Sequence, residues 1–260
     1  APDDIEYKID VKVSANNKTI KIIDNGIGMT DGEVEEYINQ IAFSGAEAFL
    51  EKYKDKANDD QIIGHFGLGF YSAFMVADKV TIDTLKEGAK AVHWECDGGT
   101  EYDMSDGTTA TPGTTITLYL NEDSYEFANE YKAREVVEKY CSFMPVPIFL
   151  TNEDAGEQTE EIPEEEVTDK DTVLDTFIKE AVTEEVEKED GTKETVEKVP
   201  AKKMAKIVKR PVAINDIHPL WTKHPNECTE DEYKEFYRKV FNDYKEPLFW
   251  IHLNMDYPFN

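Results

Sequence analysis

The feature that most constrains this chain is an alternating hairpin that ends in a carboxylate followed by two closely spaced glycines. Residues 7–13 (YKIDVKV) alternate apolar and polar side chains, Asn16-Asn17 supplies a turn, and residues 19–24 (TIKIID) return. Alternation with a period of two predicts a pair of antiparallel strands with one buried face. The second strand runs into residues 24–29 (DNGIGM). The pattern therefore predicts that Asp24 lies at the end of a half-buried strand.

The rest of residues 1–150 mixes strands with helices. Thr30 with Glu33 forms a capping box that predicts a helix over about 31–42, and Ser44 with Glu47 predicts a second, short helix. Further strands are predicted over 79–84, 89–96, 100–104, 113–120 and 146–150, and a long helix over 124–142. Because strict strand–helix–strand alternation is missing, the order predicts an α+β fold, a two-layer α/β sandwich on a largely antiparallel sheet.

The second part of the chain changes character twice. The chain has a net charge of −28. Residues 151–200 carry 19 acidic and 5 basic side chains and so account for half of it, whereas residues 201–210 are basic. This composition predicts an acidic and then basic linker or arm over 151–210, with one helix near 171–182. Residues 211–260 are predicted to begin a second α/β domain, because a third capping box precedes an apolar helical stripe. The stripe consists of Tyr233, Phe236, Tyr237, Val240, Phe241 and Tyr244.

Composition excludes several classes of protein. No apolar run approaches the roughly 18 residues of a membrane helix, and no secretory signal opens the sequence. Three widely separated cysteines exclude a disulfide scaffold and a CxxC metal site, so a reduced, cytoplasmic compartment is expected. The acidic net charge disfavours nucleic acid as a partner, because it repels phosphate backbones. The chain begins with Ala1 and ends just after an aromatic run, so we expect a piece of a longer protein.

Three motifs could bind a nucleotide. Asp24, desolvated between an apolar strand and glycines, can accept a hydrogen bond from an exocyclic amine such as that of adenine, or it can simply open a turn. Residues 64–70 (GHFGLGF) could cradle phosphates through backbone N–H groups, or only allow close helix packing. Thr114, after Pro112-Gly113, could hold a water or a ligand edge, or only reflect β propensity.

In combination, these motifs resemble the ATP-binding (GHKL or Bergerat) fold shared by gyrase B, histidine kinases, MutL and the ninety-kilodalton heat-shock chaperones. Longer stretches of the chain are more specific. They are INQIAFSGAEAFLEKY, IIGHFGLGFYSAFMVADKV, HWECDGG and the run from NDIHPLW to FWIHLNM. These stretches are similar to bacterial members of the heat-shock chaperone family, and the similarity covers nearly the whole chain.

The resemblance implies the ATP-binding portion of a molecular chaperone that remodels client proteins through ATP-driven lid closure. It implies that Asp24 binds the adenine amine and that Thr114 assists through a water. The implied adenine pocket is lined by Ile27, Gly28 and Met29, and the implied phosphate site by Gly64, Gly67 and Gly69, with Phe70 as a wall. Residues 44–69 would form the lid. The implied cofactors are ATP and Mg²⁺, and the implied partners are unfolded client proteins and a second copy of the chain in a homodimer.

The resemblance also implies parts that residues 1–260 do not contain. A helix with the catalytic Glu and a magnesium-binding Asn would precede Ala1, and the arginine that reaches the terminal phosphate would follow Asn260. We therefore expect negligible ATP hydrolysis by residues 1–260 alone. Tyr37 and Phe43 stand where the family commonly has Asn and Lys. The alternatives are a DNA-processing ATPase of the same fold, MutL-like or gyrase-like, and a non-hydrolysing interaction module.

Overall fold

The computed structural model describes residues 6–39, 69–99, 101–187, 193–241 and 243–253. The α-helices are α1 (Asp31–Tyr37), α2 (Glu130–Cys141) and α3 (Glu230–Phe241). The strands are β1 (Ile9–Ser14), β2 (Thr19–Asp24), β3 (Ala77–Leu85), β4 (Val92–Cys96), β5 (Asp103–Asp106), β6 (Gly113–Leu120), β7 (Ile148–Asn152), β8 (Thr159–Pro163), β9 (Val173–Lys179), β10 (Val182–Glu187), β11 (Lys193–Val199) and β12 (Lys202–Val208). The described residues within Ala1–Asn152 and Ala213–Asn260 form one compact unit, and those within Glu153–Val212 form a second.

The first unit is organised by a seven-stranded sheet with the order β5-β4-β3-β6-β2-β1-β7. Neighbouring strands are antiparallel, except that β7 runs parallel to β1. β1 and β2 form the predicted hairpin, in register from Ile9 opposite Asp24 to Ser14 opposite Thr19. The prediction of a largely antiparallel sheet is confirmed.

One face of this sheet is apolar, as the period of two along its strands requires. Ile22, Ile116 and Ile82 lie opposite one another on β2, β6 and β3. Helix α1 and a 3-10 helix (Gly69–Met75) pack against this face, and Val34 of α1 is fully buried in the shared core. A sheet and a helical layer thus enclose one core, which confirms the predicted two-layer α/β sandwich.

The start of α1 follows the predicted capping box. The N–H of Glu33 donates to Thr30 Oγ1 at 3.2 Å, and the N–H of Thr30 donates to Glu33 Oε2 at 2.9 Å. The two bonds satisfy N–H groups that have no partner within the helix. The helix ends at Tyr37, earlier than the predicted residue 42, and the short helix predicted after Ser44 lies outside the described residues.

The long helix predicted over 124–142 is shorter in the structure. Glu122–Ala128 form a 3-10 helix, and α2 begins only after Asn129. The side chain of Asn129 accepts hydrogen bonds from the N–H groups of Tyr131 and Lys132 at 2.9 and 3.4 Å. Asn is among the preferred N-cap residues, and here its side chain marks the start of α2.

The second unit contains strands where an arm with one helix was expected. β8, β12 and β9 form a three-stranded sheet in that order, and β10 pairs with β11. The helix predicted near 171–182 is wrong, because Val173, Phe177 and Ile178 are β-branched or aromatic and lie on β9, paired with β12. Ala205 and Ile207 of β12 are fully buried. The domain boundaries at residues 150 and 210 stay a prediction.

The side chain of Asn215 forms hydrogen bonds with the backbone at the start of β7, within the first unit. Its Oδ1 accepts from the N–H of Ile148 at 2.7 Å, and its Nδ2 donates to the carbonyl oxygens of Met144 and Val146, both at 2.8 Å. The residue is only 8% exposed. One buried amide therefore satisfies three backbone groups at the start of the strand that flanks the predicted hairpin.

Replacing Asn215 by Ala should lower the free energy of unfolding by about 2–4 kcal/mol, because three hydrogen bonds are lost and a buried N–H is left unpaired. Urea unfolding of the chain measures this difference. Asn226→Ala, at an exposed position, is the matched control and should change the free energy by less than about 0.5 kcal/mol. Equal stabilities of the two variants would show that the Asn215 amide contributes nothing beyond its volume.

Candidate functional site

Three side chains form a polar row across the sheet at the end of its apolar face. Asp24, the last residue of β2, lies opposite Thr114 of β6, and Thr114 lies opposite Thr84 of β3. Directly paired residues project from the same face of a sheet, so all three share the face that carries the core two residues earlier. Thr84 is fully buried and Thr114 is 9% exposed. The row therefore sits at the border between the core and the loop that follows Asp24.

The Asp24 carboxyl is held in a desolvated position. Burial raises its pKa above the ordinary value, and the backbone N–H groups of Gly26 and Thr114 oppose that rise only in part. The N–H of Gly26 donates to Asp24 Oδ1 at 2.8 Å. A partly buried carboxylate with few compensating partners keeps strong acceptor capacity for an additional donor.

Two glycines allow backbone segments to approach each other around Asp24. Gly28 has φ +65°, and a Cβ there would lie 1.9 Å from the carbonyl oxygen of Leu85. Gly113 has φ +139°, and its Cβ would lie 2.3 Å from the carbonyl oxygen of Asp24. Only glycine fits at both positions. The loop after β2 and the start of β6 are thereby brought close to the carboxyl.

On either side of Gly28, the loop after Asp24 presents one exposed and one inward-facing apolar residue. Ile27 is 49% exposed, whereas Met29 packs against the buried core. The N–H of Met29 donates to Thr84 Oγ1 at 2.9 Å, which ties the loop to β3. These contacts place the predicted residues Ile27, Gly28 and Met29 in one segment directly after Asp24.

Thr84 is a site residue that sequence reasoning missed. Its hydroxyl also donates to the carbonyl oxygen of Gly113 at 3.0 Å and lies 3.0 Å from the hydroxyl of Thr114. Thr84 is thirty residues away from Thr114 in the sequence, so only the register of β3 against β6 brings them together. The alternation of residues 80–84 (VTIDT) already indicated that Thr84 shares the inward face with two apolar residues, and this was the signal available.

The predicted phosphate residues are described only in part. Gly69 begins the 3-10 helix, and Phe70 packs edge-on against Trp94 with ring centroids 5.7 Å apart. Phe70 thus belongs to the core under the same sheet face as Asp24. Gly64 and Gly67, most of the predicted lid and Phe43 lie outside the described residues, whereas Tyr37 ends α1.

A metal-binding cluster and a membrane-spanning helix are both absent from the part of the chain that the structure describes. No cluster of three or more His, Cys, Asp or Glu side chains there could hold a metal ion. No described helix combines the length and the apolar character that crossing a bilayer requires.

Family models cover most of the chain. The model of the Hsp90 protein family matches residues 126–259, just over half of the sequence. A model described as histidine kinase-, DNA gyrase B- and HSP90-like ATPase matches residues 5–104, the range that contains β1, β2 and Asp24.

Similar relatives are chaperone proteins HtpG from several bacteria. The protein of Bacteroides fragilis (strain YCH46) is 45% identical over 252 residues, which are 96% of this chain and 30% of the relative. The protein of Porphyromonas gingivalis (strain W83) is 41% identical over 98% of this chain and 31% of its own length. That of Klebsiella pneumoniae is 37% identical over 96% and 33%. The chain spans about a third of the length of these relatives. Since the Hsp90 model matches more than half of its residues, the chain belongs to the Hsp90 protein family.

Proposed function

We propose that this chain is the ATP-binding portion of a molecular chaperone and that Asp24 accepts a hydrogen bond from the exocyclic amine of the adenine base. The observation that carries the proposal is the desolvated Asp24 carboxyl beside the close-packed Gly28 and Gly113. A carboxylate of this kind is a strong acceptor for the exocyclic amine of adenine. The glycines let the loop after β2 and the start of β6 pack closely beside it.

The other residues have roles that fit the same ligand. Ile27 and Met29 supply apolar surface for the flat base, and Thr114 supplies an oxygen beside Asp24 that can hold a water. Gly64, Gly67 and Gly69 would contact the phosphates. Phe70, which packs against the core, would form a wall of the pocket next to them. ATP carries the transferable phosphate, and Mg²⁺ in the whole protein would neutralise its charge.

The chaperone part of the proposal rests on the family. The relatives named above are chaperone proteins, and nothing in the comparisons supports a DNA-processing ATPase. We propose unfolded or partly folded proteins as partners, a homodimer as the assembly of the whole protein, and the cytoplasm as its location. Closure of residues 44–69 over bound ATP would couple the nucleotide to client remodelling.

Asp24→Asn should weaken ADP binding by about 1.5–3 kcal/mol, roughly ten- to two-hundred-fold, because the charged acceptor for the amine is lost. Isothermal calorimetry on the chain measures this. Burial raises the pKa of Asp24, so its ionised form opposes folding above that pKa. The variant should therefore be at least as stable as the parent chain at neutral pH.

The matched control for this variant is Asp78→Asn, at an exposed position of β3, which should leave ADP affinity unchanged. Two results would contradict the proposal: an unchanged ADP affinity in Asp24→Asn, or a loss of affinity that is explained by a loss of stability.

Adenine nucleotide affinity should also fall on mild acidification. Protonation converts the Asp24 carboxylate into a group that no longer accepts a charge-assisted bond from the amine. Because its pKa is raised, the affinity loss begins at a higher pH than it would for an ordinary carboxyl. Calorimetric titrations at successively lower pH, starting from neutral pH, test this expectation. The ADP phosphates also titrate, and the Asp24→Asn variant shows how much of the pH dependence of affinity they cause. Identical pH profiles in the variant and the parent chain would contradict the assignment of Asp24 as the acceptor of the adenine amine.

A further inference from the structure

The hydroxyl of Thr84 makes three hydrogen bonds although it has a single proton. Thr84 is fully buried, accepts from the N–H of Met29 at 2.9 Å, and lies 3.0 Å from both the Gly113 carbonyl oxygen and Thr114 Oγ1. A hydroxyl offers one donor and two acceptor lone pairs. All of its capacity is therefore used within this cluster.

Counting protons determines the direction of these bonds. The Gly113 carbonyl is an acceptor only, so the proton of Thr84 goes to it. Thr84 then has no second proton for Thr114, and the bond between the two hydroxyls requires Thr114 to be the donor. The Met29 N–H fills the other lone pair of Thr84 and completes the set.

The direction of this bond decides what Thr114 presents to Asp24 and to a ligand. Once its proton points to Thr84, Thr114 Oγ1 offers only lone pairs to anything else. Asp24, directly opposite Thr114 in the ladder, is also an acceptor when ionised. The two adjacent side chains thus present acceptors alone, which suits a 6-amino group and opposes a 6-oxo group at the same place.

We propose that Thr84 is a positioning residue that sets base selectivity: it fixes the proton direction of Thr114 so that Thr114 and Asp24 together favour 6-amino over 6-oxo purines. The inference rests on the proposed nucleotide site. Thr84 contacts the base only through Thr114 and the loop at Met29. Without the Thr84 hydroxyl, Thr114 can turn its proton toward Asp24 or toward a 6-oxo group.

The experiment compares the dissociation constants of ADP and IDP by calorimetry. IDP carries a 6-oxo group in place of the amine, and the phosphates are identical. Thr84→Val, which removes the hydroxyl at nearly constant volume, should lower the ratio of IDP to ADP dissociation constants roughly ten-fold, the effect of one hydrogen bond. Thr84→Ser keeps the hydroxyl and should retain the ratio within about two-fold.

The matched control is Thr81→Val, a buried threonine on the same strand whose side chain lies on the opposite face. It should leave the ratio unchanged. If Thr84→Val does not fold, Thr84→Cys replaces the hydroxyl by a weak donor of similar size and should lower the ratio part of the way. Thermal unfolding of each variant is measured alongside binding.

The outcomes separate this inference from the proposed function. If the parent chain binds ADP, and Thr84→Val or Thr84→Cys weakens ADP and IDP by the same factor, Thr84 is only structural and the inference is wrong. A ratio in Thr84→Ser as low as in Thr84→Val would overturn it as well. If the parent chain binds neither nucleotide, the proposed function itself fails.

Discussion

The organisation of the site depends on the cost of keeping a carboxylate at the end of an apolar sheet face. Ile22, Ile116 and Ile82 lie two residues from the polar row on the same sheet face, and Ile82 is fully buried in the core. Placing Asp24 in line with them removes water from the carboxyl and raises its pKa. The same desolvation strengthens any hydrogen bond that the carboxyl makes. Binding capacity and folding stability are therefore opposed at this residue.

Among the described residues, backbone groups and no cation offset that cost. The N–H groups of Gly26 and Thr114 reach the carboxyl because the chain turns tightly after β2 and enters β6 directly opposite it. Those turns require glycine at positions 28 and 113, where a Cβ would collide with backbone oxygens. Partial compensation by neutral donors keeps the carboxyl available, whereas a paired lysine or arginine would compete with an incoming amine.

Much of the first unit and the position of Asp24 could be predicted from the sequence, because the patterns that indicate them are local. The hairpin followed from alternation, the start of α1 from Thr30 and Glu33, and the position of Asp24 from the glycines beside it. Predictions failed where local signals were ambiguous. The segment that forms β9 is predicted as a helix from its local sequence, since its pairing with β12 depends on residues about thirty positions away.

The cluster of hydrogen bonds at Thr84 also could not be predicted from local sequence signals. A threonine on a strand has no local feature that separates a structural hydroxyl from one that orients a ligand-binding neighbour. Its importance arises from register, which sets Thr84 beside Thr114 on β6, and from Gly28, which lets the loop approach β3 so that Met29 reaches the same oxygen. Because the single proton of Thr84 goes to the Gly113 carbonyl, Thr114 must donate to Thr84, and a change at Thr84 alters what Thr114 offers without touching the base. Selectivity in such a site is therefore a property of the strand pairing as much as of the glycine motif.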